Sequence, residues 1–385
     1  MLDPEWTPKQ TKPVMNPTRN EPPPNRADPV RASGFAYASL ADAADRLDRI
    51  DPGAHRRIKG LRLVTAYGIA AMLGTMADIA RGLPNGVALS SLAGGFALWA
   101  SVSEGRSTRA ESSRDLVLLS AAAVLGAASF TVLTPLLQHL GRAGPELTLA
   151  IGAFLVGYLR RFGVTGTGLG SQVYIGQLLA YGAQLTPSDL PTVVVAGLLA
   201  ALASVVPRVL SGPAEHPPPV PAPLAAPAGG LRPEFIMGLQ AAIAAVVIVA
   251  LNAAIVLTES AWAITACTYV IAGSASVTIE RVTGRIIGTA IGVPLGLVCL
   301  PLATSVPLIA WAAAALAMVV YAIALPERYD IACGAYAFTL IVTLAVGGEH
   351  SIPILASRAW ETLLGGALGL AAAMLLSPLR TWRKS

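Results

Sequence analysis

Charge is scarce in this chain. Asp, Glu, Lys and Arg make up 13% of its 385 residues, about half the roughly 25% of a typical soluble protein. Cysteine is scarcer: Cys267, Cys299 and Cys333 all lie inside apolar runs, and no two form a C-x-x-C pair. That excludes a disulfide frame or a zinc site and leaves small, buried, apolar-like thiols. His55, His139, His216 and His350 are scattered without ligand spacing, so no metal is expected. There is no G-x-x-x-x-G-K-[ST] loop, hence no ATP engine. No nucleophile, base and orienting group occur together, so no enzyme is expected. Nothing calls for a cofactor or a nucleic acid. No apolar run follows the first charges, which excludes a signal peptide.

What remains is apolar. Hydrophobic residues are 54% of the chain and the mean hydropathy is +0.62, the composition of an integral membrane protein. A bilayer core takes about 20 apolar residues per helix, with a range of roughly 17–25. Twelve runs qualify: Leu61–Arg81, Asn85–Ser103, Leu116–Leu137, Leu147–Phe162, Gly170–Leu185, Leu190–Val209, Phe235–Leu257, Ala261–Val277, Ile286–Leu302, Val306–Leu325, Tyr329–Val346 and Ala359–Leu376. The expected fold is all-α, a polytopic membrane protein of twelve helices in two six-helix halves, 53–210 and 234–378. Residues 1–34, rich in Pro, Asn, Arg and Asp, read as a disordered cytoplasmic tail. An amphipathic helix over 35–52 packs on the protein or lies on lipid. Residues 211–233 form a semi-rigid Pro-rich linker, and 379–385 a basic tail.

Placement of charge orients these runs. With the amino end in the cytoplasm, inside segments carry Arg56, Arg57, Lys59, Arg62, Arg106, Arg109, Arg114, Arg160, Arg161, Arg208, Arg232, Arg281, Arg285, Arg328, Arg380, Arg383 and Lys384, against Arg81, Arg142 and Arg358 outside. Positive residues stay on the cytoplasmic side, so both termini are expected inside. The halves echo weakly: Ile58-Lys-Gly60-Leu61-Arg62 opens one and Ile236-Met-Gly238-Leu239-Gln240 the other. With an even helix count in each, they read as parallel repeats.

A sharper echo lies within the second half. Arg285, Thr289, Gly292 and Gly296 are matched at one fixed offset by Arg358, Thr362, Gly365 and Gly369. Gly284 and Gly288 extend the first glycine row, and Glu361 stands where Gly288 stood. Upstream, Trp262-Ala-Ile-Thr265 is answered by Tyr336-Ala-Phe-Thr339. These residues share helical faces, and small residues four apart let helices approach closely in lipid. The copies are three helices apart, so the trios read as inverted repeats, a common plan of secondary transporters. The two glycine faces are expected to cross near the midplane, with Arg285 at the cytoplasmic start of one helix and Arg358 at the outer end of another.

Arg285 reads either as a topology anchor or as a cationic entry that pairs a carboxylate bidentately. Arg358 breaks the positive-inside trend. With Glu361 on its face it is either a structural ion pair or a substrate site in which Glu361 releases substrate or carries a coupling proton. Thr265, Thr289 and Thr362 line a polar path or bond back to their own helices. Trp262 packs at an interface or stacks on an aromatic substrate.

Trp262-Ala-Ile-Thr265, Glu280-Arg281-Val-Thr-Gly284-Arg285-Ile-Ile-Gly288-Thr289-Ala-Ile-Gly292 and Arg358-x-x-Glu361-Thr362-x-x-Gly365 together resemble the fusaric acid resistance (FUSC) membrane family, which includes bacterial aromatic carboxylic acid exporters. The likeness covers about 235–377 well and 55–210 by layout. It implies a bacterial inner-membrane transporter exporting organic anions, aromatic carboxylates among them, by alternating access. A passive organic-anion channel and a non-transporting membrane scaffold are the alternatives. The implied partners are the lipid bilayer and a small organic anion; a homo-oligomer is left open. Some members work with a periplasmic adaptor, but this chain lacks room for the cytoplasmic domains of larger members, which counts against that partner.

Overall fold

The computed structural model describes residue 49 and residues 51–81, 89–106, 108–211, 232–325, 327–348 and 351–375. The tail over 1–34, nearly all of the amphipathic helix over 35–52, the linker over 212–231 and the basic tail over 379–385 lie outside them. The chain divides into a short unit, Met1–Pro52, and a body, Gly53–Ser385.

Twelve helices of eleven residues or more form the body, with no strand among the described residues: α1 (His55–Arg81), α2 (Leu89–Ser103), α3 (Arg109–Leu137), α4 (Leu147–Tyr158), α5 (Gly163–Gly182), α6 (Leu190–Leu210), α7 (Pro233–Ile255), α8 (Ser260–Val270), α9 (Ala275–Val298), α10 (Pro307–Ala324), α11 (Tyr329–Val346) and α12 (Ile352–Leu375). Helix starts follow local chemistry. Thr108 caps α3, its Oγ1 accepting the Glu111 N–H at 3.3 Å. Pro233 and Pro307 occupy first helical positions, where a missing N–H costs nothing.

Each of the twelve expected runs contains a helix, with shifted limits. The run Ala261–Val277 breaks after Val270, because Ser274 caps the next helix and accepts the Val277 N–H at 3.3 Å. As a result α9 starts ten residues before Arg285. Gly163, at φ 73, ends one helix and lets the next start at once. The chain folds back there: Gly170 lies against the Leu155 carbonyl, which a Cβ would approach to 2.5 Å, and Gly152 lies against Gln177 and Tyr174. α4 and α5 are therefore an antiparallel hairpin.

By length and composition, eight stretches among the described residues are able to cross a membrane, so this is a multi-pass, all-α membrane protein. Eight is fewer than the twelve expected. α2 and α8 have only 15 and 11 residues. α4 and α5 count as one stretch, Gly144–Gly182, and Arg358 and Glu361 interrupt the apolar character of α12.

Packing repeats between 55–210 and 233–375. In the first part α1 packs on α2 and α6, α2 on α6, α3 on α5 and α6, and α4 on α5. In the second part α7 packs on α8 and α12, α8 on α12, α9 on α11 and α12, and α10 on α11. The two parts meet reciprocally, α1 on α10 and α4 on α7. Gly60 and Gly238, which open the two echoing segments of the sequence, both sit at these contacts. A Cβ on Gly60 would lie 3.0 Å from Val319 Cα, and one on Gly238 2.6 Å from the Phe154 carbonyl oxygen. The core clusters are rich in alanine, and glycines meet neighbouring backbone between helices, which brings backbones close enough for dispersion to hold them where lipid supplies no hydrophobic drive.

Candidate functional site

The glycine rows of α9 and α12 do not meet each other, contrary to the expected crossing. Gly288 and Gly292 press on the backbone of Asp330 and Gly334, and a Cβ on Gly296 would lie 2.7 Å from Ile341 Cβ; all three partners are on α11. Gly365 presses on the Ala263 carbonyl, and a Cβ on Gly369 would lie 3.1 Å from Cys267 Cα; both are on α8. The seams are reciprocal: each Arg-Thr-Gly helix runs parallel to the helix that bears the other trio's aromatic echo. The reason is spatial. The glycine face of each helix is spent on that neighbour, and α9 meets α12 along a different line. Gly366 lies beside Val282, and Val293 shares an apolar cluster with Leu355, so α9 and α12 run antiparallel.

This arrangement turns both arginine faces into one space. A cavity of about 1420 Å³ is bordered by Arg285 and Arg358, by Trp262, Thr265 and Tyr269 of α8, and by Tyr336 of α11. A recess of about 30 Å³ beside it is bordered by Thr289 and Thr362 together with Arg285, Arg358 and Trp262. All six residues singled out in the sequence as substrate contacts border one space or the other. Arg285 lies about three turns inside α9, not at its start, and Arg358 nearly two turns inside α12.

Aromatic rings wall the large cavity. Tyr336 lies 5.5 Å from Trp99 and 6.5 Å from Trp262, and Trp99 is 6.3 Å from Tyr321. Trp99 comes from α2, so the first six helices contribute to the same chamber. The Arg358 guanidinium sits over the Trp262 ring, 4.3 Å from its centroid, within cation–π range. Toward the first turns of α9 and α11 the lining includes Arg160, Arg281 and Arg328 with Glu280, Glu327 and Asp330. Here Arg328 pairs with Asp330 at 2.8 Å, and Arg56 with Glu327 at 2.6 Å. The Arg56 hydrogen bond holds the exposed Glu327 carboxyl below its usual range.

Thr265 bonds back to its own helix, one of its two expected roles, and Glu361 is engaged by a backbone N–H. Thr265 donates to the Ala261 carbonyl at 2.8 Å and lies 2.8 Å from the Tyr174 hydroxyl, so its oxygen is engaged within the helix bundle. Glu361 is buried, and its Oε1 accepts the Glu259 backbone N–H at 2.6 Å. Glu259 also faces Arg358, Oε2 lying 3.8 Å from Nη2. Glu259 also borders the cavity. Sequence reasoning missed it because it sits in a helix–helix turn, where a carboxylate looks like a solvated loop residue. Glu146 was missed as well. Buried at the start of α4, its Oε1 accepts from Asn252 Nδ2 (2.6 Å), Ser260 Oγ (2.7 Å) and Tyr181 OH (2.9 Å).

Two guanidinium groups in an aromatic-walled cavity suit an anion: the planar fork pairs a carboxylate through two parallel hydrogen bonds, and the rings take an apolar or aromatic body. These features define a multi-pass membrane protein with a chamber lined by two guanidinium groups and several aromatic rings. Residues 237–372, within the second group of six helices, match the family model described as fusaric acid resistance protein-like. Neither a curated protein nor a solved structure matches the chain.

Proposed function

We propose that this chain is a secondary transporter that exports organic anions, aromatic carboxylates among them, across the bacterial inner membrane. One observation carries the reading: Arg285 and Arg358, on antiparallel helices, border the same aromatic-lined cavity. Each arginine takes part in holding the carboxylate, with Thr289 and Thr362 beside them in the recess, and the rings hold the body. Glu361 serves as the coupling carboxylate. The reciprocal seams, α9 on α11 and α12 on α8, favour inverted three-helix units that rock about this chamber in alternating access. In this proposal all twelve helices cross and both ends lie in the cytoplasm.

Purified protein in liposomes tests it. Movement of a panel of aromatic and aliphatic carboxylates should depend on an imposed ion gradient, and R285Q and R358Q should each abolish most of it. Absence of gradient-dependent movement for every member of the panel would sink the proposal. The extent of the cavity, from Arg328 in the α10–α11 turn to Gly182 at the end of α5, favours a passive channel as the second reading. Flux that follows only the anion's own electrochemical gradient would select it.

A further inference from the structure

The turn between α7 and α8 is gripped from both sides. Asn252 Oδ1 accepts the Leu257 N–H at 2.9 Å, Ser260 is bound to Glu146 of α4's entry turn, and the Glu259 N–H is bound to Glu361 of α12. Val256 takes a left-handed backbone, φ 56, to make the turn. The consequence is a fixed position for one side chain. Glu259 projects its carboxylate along the cavity wall to within 3.8 Å of Arg358 Nη2, while Trp262, one turn on, carries the same guanidinium on its ring. Glu259 remains one-third exposed, whereas Arg358 is nearly enclosed. Arg358 therefore meets a part-exposed carboxylate on the cavity side and an aromatic ring beside it.

We propose that Glu259 is a built-in counter-anion. Its carboxylate occupies the Arg358 guanidinium between transport events, and an incoming carboxylate takes its place. Glu259 then sets the threshold affinity of the site and disfavours anions too weak to displace it. This rests on the anion-transport reading of the cavity. A tethered competitor lowers apparent affinity by the fraction of time the site is open; occupancy of about nine-tenths gives about a tenfold effect. The grip on the turn uses the backbone N–H of Glu259, so exchanging its side chain leaves that hydrogen bond in place.

Full-length protein in nanodiscs, titrated with benzoate by calorimetry, tests the proposal in wild type, E259Q, R358Q and the double variant. E259Q should bind benzoate about tenfold more tightly, and the gain should vanish in the R358Q background. A general gain from removing negative charge would persist there, because Arg285 remains. Unchanged or weaker binding by E259Q, or a gain that survives R358Q, overturns the role of Glu259 while leaving the anion site standing. Failure of wild type and E259Q alike to bind benzoate removes the anion site and the proposal with it. E259D, which keeps the charge and withdraws it by one methylene, should show a smaller gain and serves if E259Q does not fold.

Discussion

The Arg358 guanidinium sits over the Trp262 ring, 4.3 Å from its centroid, a cation–π contact that helps hold it on the α8 side of the cavity. The ring desolvates one side of the guanidinium. Replacing Trp262 by Phe should keep part of this support, and by Leu none. A cation–π contact of about 0.5–2 kcal/mol corresponds to roughly 2–30-fold in affinity. We expect benzoate affinity to fall in the order wild type, W262F, W262L, read by calorimetry. R358K, which keeps charge but loses the fork, should lie below W262F. Equal affinity in W262L and wild type would show that the ring does not orient the site.

Reciprocal glycine seams lead to a paired expectation. No Cβ fits at Gly292 against the Gly334 carbonyl or at Gly365 against the Ala263 carbonyl. G292A and G365A should each force neighbouring backbone apart and cost about 1–3 kcal/mol, as overpacking does. Gly366, one residue on, has Val282 Cγ1 at 3.6 Å as its nearest neighbour, an ordinary contact. G366A should therefore be neutral in a thermal unfolding scan in detergent. Melting temperatures left unchanged by G292A and G365A would mean that the seams are looser than their geometry.

The two copies of Arg-x-x-x-Thr-x-x-Gly were legible in the sequence because a fixed offset survives any folding, and helical periodicity alone put Arg285, Thr289 and Gly292 on one face. What those faces meet was not legible. The glycine rows of α9 and α12 each take a helix from the other trio, and spacing within one helix carries no record of its neighbour. Similarly, Gly126 and Gly176 press on α5 and α3 respectively, doing in the first group of helices what Gly288 and Gly292 do in the second, but without the flanking Arg and Thr that made the second visible. Helix limits moved where capping decided them: Ser274 drew the start of α9 upstream and so moved Arg285 inward. Glu259 and Glu146 were hidden for a different reason, since a carboxylate at a helix end looks solvated until the partners converging on it from elsewhere in the chain are known.

Glu146 gathers Asn252, Ser260 and Tyr181 on one oxygen, and its removal should be costly. In E146A those three donors lose their acceptor in a buried place, each such loss costing about 1–3 kcal/mol. E146Q retains a carbonyl oxygen that is able to accept all three. A detergent thermal scan should show a large drop for E146A and a small one for E146Q. Because Ser260 opens α8, which carries Trp262 beneath Arg358, E146A should also loosen benzoate binding more than E146Q does. Equal melting temperatures for the two variants would mean that water supplies the missing acceptor and the knot adds little stability.

The hairpin of α4 and α5 decides how many times the chain crosses. Helix α4 with its flanking turns runs from Gly144 to Phe162, which at about 1.5 Å per residue is close to 30 Å, the thickness of a hydrocarbon core. Length therefore permits a full crossing, and the reversal at Gly163 places Phe162 at the far end of it. Leu140 and Phe162 are both exposed, so single cysteines at these positions, in a background with Cys267, Cys299 and Cys333 replaced, report on the two ends. Twelve crossings require L140C to react with a membrane-impermeant maleimide from one side of oriented vesicles and F162C from the other. A re-entrant hairpin would leave F162C shielded in the bilayer from both sides. In that event α4 and α5 would enter and leave by one face, the repeat of packing between 55–210 and 233–375 would no longer imply equal crossing, and the twelve-helix arrangement would give way to one with fewer spans around the same chamber.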